Sequence, residues 1–267
     1  MRFWVAKHIV FDVLNTSLKG NLFFYLRMLK LLKLQKFLPY KTYEDNYFYQ
    51  GYEVFGIRGA KPTIFRLNQY SDLELPPKSK ILDIGSNVGF LDLHLSSLGF
   101  NVTGIEINPV LVTAANCFKA KIGANTNFIC SDFLEYNFKD RFEVVLSLSN
   151  HQTTDGNLKI DFNAYITKVH SLLKTNGIFV FESHNIYGPG KGLPGDDGDI
   201  LEKITLLTRY FRIYKFKMVK SYLEHNVNDV NKLLVIMYKI DFQSPNMQLV
   251  HLNNFYSNNF DYSYIKK

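Results

Sequence analysis

Three carboxylates in this chain stand where ligand-binding side chains are expected. Asp83, Glu106 and Asp132 each lie at or directly after the end of a short run rich in apolar and β-branched residues. In open α/β proteins the carboxyl ends of parallel strands share one edge of the sheet, and ligands bind there. Glu106 can accept both hydroxyls of a ribose, and Asp132 can accept from an adenine amino group. The alternative is that Glu106 and Asp132 are solvated loop acids, and it would have to hold for both of these residues at once.

A glycine-containing loop follows the first of these runs. Gly85 and Gly89 allow the backbone to turn sharply and approach a ligand before the next helix begins. A glycine loop alone is weak evidence, because any strand-to-helix turn can use glycine. The loop also lacks the G-x-G-x-x-G spacing that a nicotinamide pyrophosphate requires. Together with the three acids, it favours a different nucleoside-containing cofactor.

Five motifs in this order closely resemble the class I S-adenosylmethionine-dependent methyltransferases, including bacterial members that modify small molecules and glycans. The motifs are Asp83-Ile-Gly-Ser-Asn-Val-Gly89, Gly104-Ile-Glu-Ile-Asn108, Ser131-Asp-Phe133, Glu143-Val-Val-Leu-Ser-Leu-Ser-Asn150 and Leu172-Leu-Lys-Thr-Asn-Gly177. The resemblance covers about residues 78–240. It implies an α/β, Rossmann-like, seven-stranded and mostly parallel sheet of order 3-2-1-4-5-7-6 with a C-terminal antiparallel hairpin. It also implies S-adenosyl-L-methionine as the cofactor.

The same resemblance assigns roles at the cofactor. Asp83 would lie near the methionine amino group, Glu106 on the ribose, and Asp132 and Phe133 at the adenine. Arg58 or the nearby Lys61 could pair with the methionine carboxylate, or both could belong to a solvated basic loop. The full set that we expect to contact the cofactor is Asp83, Gly85, Ser86, Asn87, Gly89, Phe90, Glu106, Ile107, Asp132, Phe133, Ser147 and Arg58.

Asn87 is a departure from the family's pattern, in which this position is commonly glycine. A side chain is tolerated here if it turns away from the cofactor. We therefore keep Asn87 in the expected cofactor set.

Polar residues follow the predicted fourth and fifth strands, where the methyl group would be transferred. We predict a catalytic set of His151, Glu182 and His184. His151 is the expected general base for a hydroxyl acceptor, because imidazole titrates near neutrality. Glu182 or Asp155 could orient it or bind the substrate. Each histidine could instead be an ordinary loop residue, and since the spacing matches no metal motif, no metal is predicted.

The residues after the fourth strand also limit the acceptor. This stretch lacks the Asn/Asp-Pro-Pro-Tyr/Phe motif typical of amino-group methylation of DNA bases. Neither cysteine of the chain follows a proline, so the Pro-Cys pair required for carbon methylation of cytosine is also missing. We therefore predict O-methylation of a small anionic or glycan-related metabolite, such as a phosphorylated or nucleotide-linked sugar, as in polysaccharide modification. A nucleic-acid or membrane-lipid methyltransferase and a non-catalytic S-adenosylmethionine-binding protein remain alternatives.

The charge of the chain divides it into three segments. Residues 1–41 hold eight basic residues against one acid, Asp12, which equals the whole net charge of +7. We predict a basic helical N-terminal extension over 1–41, a connecting segment that contributes to the cofactor site over 42–79, and a methyltransferase domain over 80–267. The extension could be a cap on the domain, a membrane-surface helix or a nucleic-acid arm. The basic residues are spread around a helical wheel, which favours the cap and argues against a nucleic-acid arm. Peripheral membrane contact ranks between these two interpretations.

Composition places the chain among ordinary globular proteins. At 46% hydrophobic residues it can bury a core, and its apolar runs are far shorter than the roughly 18–20 residues of a membrane span. Two cysteines form no disulfide framework or zinc spacing, so we expect a reducing, cytoplasmic location, with contact at the inner membrane surface as an option.

The pattern of the chain also predicts where its secondary structure lies. Short strand runs alternate with helical stretches from residue 80 onward, as in βαβ units. The predicted strands are 80–84, 101–106, 126–130, 142–147, 177–182, 217–223 and 232–240, and the predicted helices lie near 1–38, 63–70, 88–98, 109–122, 160–173 and 200–211.

Overall fold

Seven strands form one twisted sheet in the computed structural model, which describes residues 3–39, 47–59, 61–70, 73–150, 161–183, 200–221, 230–240 and 248–259. The strands are β1 (Lys80–Ile84), β2 (Asn101–Glu106), β3 (Asn127–Cys130), β4 (Phe142–Leu148), β5 (Leu173–Glu182), β6 (Phe211–Ser221) and β7 (Val230–Lys239). Their order in space is 3-2-1-4-5-7-6. β1 to β5 run parallel, and β7 pairs antiparallel with β5 and β6. The predicted fold class is confirmed.

Helices cover both faces of this sheet. They are α1 (Phe3–Leu18), α2 (Leu22–Leu32), α3 (Thr63–Gln69), α4 (Phe90–Ser97), α5 (Pro109–Ile122), α6 (Phe162–Leu172), α7 (Ile200–Leu207) and α8 (Gln248–Asn259). Alternate residues of β4 point to opposite faces: Val145 packs in the cluster formed by α6, α7 and α8, whereas Val144 packs with α4 and Tyr70. This alternation follows from the two-residue period of a strand.

Local signals in the sequence fix the helix next to the predicted cofactor site. Asn108 caps α5, because its side-chain oxygen accepts from the backbone N–H groups of Val110 and Leu111 at 3.0 and 3.4 Å. Pro109 occupies the first turn, where a missing N–H costs nothing. Gly123, with φ of 64°, ends the helix in the left-handed region. The helix therefore begins and ends as predicted.

The N-terminal extension and the connecting segment pack on α5 and α4 through aromatic side chains. Phe24 of α2 lies edge-on to Phe118 of α5, with ring centroids 5.3 Å apart, and Phe48 stacks on Phe90 of α4 at 6.2 Å. The only acid in the extension, Asp12, lies on the buried face of α1 and accepts hydrogen bonds from the Tyr47 hydroxyl and the Arg58 backbone N–H. Burial raises the pKa of Asp12 to about 6. The division into three segments by charge stays a prediction.

Several predicted boundaries differ from the structure. The helix predicted over 1–38 is divided between Leu18 and Leu22, and the strand predicted over 177–182 begins at Leu173. The helix expected to reach residue 211 ends at Leu207, and β6 begins at Phe211 instead of residue 217. Phe211 and Ile213 are buried while Arg212 and Tyr214 are exposed, which is the alternation of a strand. No helix in the described part of the chain has the length and apolar character needed to cross a bilayer.

Candidate active site

A pocket opens at the carboxyl edge of the sheet, where the three acids were expected to meet. Five residues of the predicted cofactor set line it: Gly85, Glu106, Ile107, Asp132 and Phe133. The lining is completed by Ile84, Ile105, Ser131, Asn150 and Tyr165. The sheet thus brings together the ends of β1, β2, β3 and β4 as the sequence predicted.

Glu106 is held by the backbone on both sides. One carboxylate oxygen accepts from the N–H of Asn87 and the other from the N–H of Asn108, each at 3.0 Å. Each carboxylate oxygen can accept more than one hydrogen bond. A buried carboxylate that is already oriented suits the two neighbouring hydroxyls of a ribose.

The N-terminal extension reaches this carboxylate through one intermediate residue. The side-chain amide of Asn108 donates to the side-chain oxygen of Gln35 at 2.9 Å, and both side chains are buried. The backbone N–H of the same Asn108 donates to Glu106. The extension is therefore bonded to the loop that carries the pocket's central acid.

The glycine loop has two left-handed glycines with different surroundings. At Gly85, with φ of 76°, a Cβ would come within 3.0 Å of the Asn150 Cβ at the pocket. At Gly89, with φ of 73°, a Cβ would come 2.3 Å from the ring of Phe128. Gly85 therefore leaves room at the pocket, whereas Gly89 leaves room for the packing of β3. Asn87 folds its side chain back on the loop, where it accepts from the N–H of Val88 at 2.9 Å.

Four members of the predicted cofactor set are absent from the described pocket lining, in addition to Asp83, Asn87 and Gly89. Phe90 is fully buried among Phe48 and other aromatic rings, so it serves the core. Ser147 is also buried, and its hydroxyl donates to the Asn150 side chain at 2.7 Å. Ser86 is 1% exposed. The Arg58 guanidinium lies 5.2 Å over the Phe11 ring, in a separate cavity.

Asp83 forms a buried acid pair with Asp92, a residue that the sequence analysis did not select. Neither oxygen of Asp92 meets a donor among the described residues, so the two carboxyls can bond to each other only if one is protonated. Burial raises the pKa of Asp83 to about 6, partly offset by Asp92 and by Arg66. Burial and the charge of Asp83 raise the pKa of Asp92 well above its usual range. Burial and mutual repulsion therefore favour protonation of one of the two carboxyls.

The Asp92 side chain fits only because β2 carries a glycine beneath it. A Cβ on Gly104 would come 2.5 Å from an Asp92 oxygen and 2.8 Å from the Ser86 hydroxyl. Close packing behind the glycine loop therefore holds the acid pair in place.

A second polar cluster lies at the end of β5; the Arg66–Lys232 cluster consists of Arg66, Tyr70, Ser149, Glu182 and Lys232. The buried carboxylate of Glu182 accepts from the hydroxyls of Tyr70 and Ser149. It also lies 3.7 Å from the Arg66 guanidinium and 3.9 Å from the Lys232 ammonium. Burial lowers the pKa of Arg66, but Tyr70 and Glu182 raise it more, so Arg66 stays charged. Two buried cations thus share one carboxylate.

The profile of the methyltransferase domain family matches residues 76–249, the span that holds the sheet and the pocket. The chain belongs to the methyltransferase domain family. This confirms the predicted methyltransferase family for the domain that holds the sheet.

Individual relatives of this methyltransferase match more weakly. Ubiquinone biosynthesis O-methyltransferase of Bradyrhizobium diazoefficiens is 26% identical over 106 residues, 40% of each chain. Carboxy-S-adenosyl-L-methionine synthase of Campylobacter fetus is 26% identical over 115 residues, 42% of this chain and 47% of the relative. The chain therefore spans less than half the length of these curated relatives. The solved structure of the N-methyltransferase NodS from Bradyrhizobium japonicum shares the fold, with a TM-score of 0.52, 18% identity and coverage of 66% and 95%.

The predicted catalytic residues of this methyltransferase are only partly described. Glu182 lies at the carboxyl end of β5 as expected, engaged by four neighbours. His151 and His184 lie outside the described residues, as does Asp155, and their roles stay predictions. Sequence reasoning missed Arg66 and Asp92. A charged residue at an inward position of an otherwise apolar helix would have been the signal for both.

Proposed function

We propose that this chain transfers the methyl group of S-adenosylmethionine to an oxygen of a small anionic acceptor. A glycan-related acceptor, such as a phosphorylated or nucleotide-linked sugar, remains the chemical class we favour. Two observations support two parts of this proposal. The family assignment supports methyl transfer, and the name of the O-methyltransferase relative supports oxygen as the acceptor atom.

The observation that supports an anionic acceptor is the pair of buried cations in the Arg66–Lys232 cluster. Among the described residues, Arg66 and Lys232 lie 3.7 and 3.9 Å from the Glu182 carboxylate, and Arg66 also interacts electrostatically with Asp83. The Arg66 Nε is buried without a hydrogen-bond partner among the described residues. Burying a cation is costly unless anions pair with it, so two buried cations favour an anionic ligand nearby. The reaction offers two such anions, the methionine carboxylate of the cofactor and an acid group on the acceptor.

We assign the first anion to Arg66 and the second to Lys232. Arg66 acts electrostatically on Asp83, which is expected beside the methionine amino group, so an amino acid would find both of its charges matched there. Lys232 donates to the Ser149 hydroxyl at 2.8 Å, beside the segment that carries His151 in the sequence. In this proposal Arg66 takes the role that the sequence offered to Arg58.

The residues of the pocket fit the other parts of the cofactor. Glu106 is oriented for the ribose, and Asp132 and Phe133 supply a carboxylate and a ring for the adenine. The cofactor itself supplies a methyl group activated on a sulfonium. The chain's task is to align the acceptor oxygen and, through His151, to take its proton, where positioning contributes roughly 7–11 kcal/mol and a general base about 10²–10⁴-fold.

Calorimetry with two ligands tests the assignment of Arg66. S-adenosylhomocysteine carries the amino-acid group, whereas 5′-methylthioadenosine lacks it. Arg66→Met should weaken S-adenosylhomocysteine at least tenfold and leave methylthioadenosine unchanged, because a buried charge-assisted contact contributes roughly 1.5–3 kcal/mol. Arg58→Met is the matched control and should change neither affinity. Equal losses for both ligands would refute the role of Arg66.

Acceptor screening tests the proposed reaction. Nucleotide sugars and phosphorylated metabolites are incubated with S-adenosylmethionine, and release of S-adenosylhomocysteine is measured. Failure of the wild type to bind S-adenosylhomocysteine would overturn the function as a whole. With an acceptor in hand, His151→Ala should lose turnover while cofactor affinity stays the same; unchanged turnover would remove His151 from the mechanism.

A further inference from the structure

The N-terminal extension exposes apolar side chains that its own packing leaves uncovered. α1 buries Val5, His8, Asp12 and Thr16, which lie along one face. Its outward side carries Val10, Phe11, Leu14 and Leu18, with exposures of 61%, 42%, 59% and 88%. The hydrophobic face of a helix ordinarily packs against the core. Here three of the four buried residues are polar, and large apolar side chains face outward.

The second helix of the extension repeats this arrangement. α2 and the turn after it bury Tyr25, Met28, Leu32 and Gln35, and they expose Phe23, Leu26, Leu34 and Phe37. Eight of the fifteen large apolar side chains that are exposed in the described residues lie within 3–39, so exposure of this kind is concentrated in the extension. Leu18 and Phe23, both 88% exposed, flank the turn between the two helices and form an apolar tip.

Within the described extension, residues 3–39, the exposed charged residues are all basic. The basic residues of the described extension, all exposed, are Lys7, Lys19, Arg27, Lys30, Lys33 and Lys36. The one acid, Asp12, is fully buried and bonded to Tyr47 and to the Arg58 backbone. Folding therefore removes the extension's own acid from its surface.

We propose that the extension docks on the surface of an anionic lipid bilayer, with Leu18 and Phe23 entering the boundary between headgroups and acyl chains. Apolar side chains interspersed with Lys and Arg are what an interfacial helix pair needs, because the acyl region takes the apolar groups and the lipid phosphates take the cations. A nucleic acid would use the cations but leave the apolar tip in water. A second copy of the chain would cover the apolar side chains but bring like charges together.

Sedimentation of the full chain with vesicles tests this docking. The probes are vesicles of phosphatidylcholine alone and vesicles of phosphatidylcholine with about one third phosphatidylserine. Phosphatidylserine gives the vesicle a negative surface potential, which attracts basic segments. We expect binding to the anionic vesicles at low salt, weaker binding at high salt, and little binding to phosphatidylcholine alone. Absence of binding to the anionic vesicles at low salt would overturn the proposal.

Two sets of variants separate the apolar and the charged contributions. Leu18→Ser with Phe23→Ser should weaken binding at least tenfold, whereas Val250→Ser, an exposed apolar residue on α8, should not. Lys30→Gln, Lys33→Gln and Lys36→Gln together should weaken it about a hundredfold, since each cation near an anionic surface contributes roughly fivefold. The matched control for charge replaces three exposed cations of the domain with glutamine: Lys139, Arg141 and Arg209.

Further outcomes decide against a bilayer. If the Leu18 and Phe23 substitutions leave vesicle binding unchanged, the apolar tip does not enter the membrane and the proposal is wrong. If sedimentation velocity shows a dimer of the wild type that the same substitutions dissociate, a second copy covers the surface instead. Circular dichroism and S-adenosylhomocysteine affinity of each variant establish that it is folded, and a misfolded variant is replaced by Leu18→Gln with Phe23→Gln.

Discussion

Substitution of Gly89 tests whether packing explains this glycine of the cofactor loop. The residue has φ of 73°, and an added Cβ would lie 2.3 and 2.4 Å from two ring atoms of Phe128. Gly89→Ala therefore carries two costs: roughly 1–2 kcal/mol for a left-handed alanine and roughly 1–3 kcal/mol for overpacking. We expect the free energy of unfolding to fall by about 2–5 kcal/mol.

A second glycine supplies the control for this measurement. Gly123 has φ of 64°, and an added Cβ would meet no atom within 4 Å. Gly123→Ala should therefore show the backbone cost alone, about 1–2 kcal/mol. Urea denaturation of both variants isolates the contribution of the Phe128 ring, and Gly89→Ala in a Phe128→Leu background should recover part of the loss. Equal losses for Gly89→Ala and Gly123→Ala, with no recovery, would refute the packing argument.

The other predictions concern the extension, the acid pair and the ribose contact. Gln35→Leu leaves the buried amide of Asn108 without its acceptor and should lower the free energy of unfolding by roughly 1–3 kcal/mol in urea, whereas Gln35→Glu, which keeps an acceptor, should lose less. Because burial raises the pKa of folded Asp83 from 3.8 to about 6, its contribution to stability is present at low pH and lost as the pH rises through 6. Wild type should thus lose stability relative to Asp83→Asn between pH 4 and 7. Asp12, whose pKa is raised similarly, is present in both proteins, so its contribution cancels in this comparison. A difference in the free energy of unfolding that stays constant with pH would contradict the prediction. Glu106→Ala should weaken S-adenosylhomocysteine binding at least tenfold by calorimetry, and full affinity would move the ribose elsewhere.

Much of the fold could be predicted because its signals are local. β1 and β2 have the predicted bounds, as does α5, since apolar runs, a capping Asn108 and a terminal Gly123 act within a few residues. The start of β6 was missed because Phe211 and its neighbours continue the apolar pattern of the preceding helix, and only pairing with β7 shows the strand.

The site residues at the ends of strands could be predicted, whereas those on helices could not. Glu106 and Asp132 line one pocket because parallel strands bring their carboxyl ends to one edge, which topology alone requires. Arg66 and Asp92 were missed because a charged residue on a helix normally faces water. Their burial depends on what lies opposite: Glu182 for Arg66, and Asp83 with the bare Gly104 for Asp92.

Ordered motifs at strand ends identify a methyltransferase domain from the amino-acid sequence, and the same sequence assigns the excess of positive charge to the first 41 residues. Which side chains act together depends on tertiary packing. Tertiary packing buried Asp12 and left the apolar side chains of the extension outward, and it joined Arg66 and Lys232 to one carboxylate. These arrangements depend on contacts between segments far apart in the chain, and no local pattern encodes which partner a side chain meets.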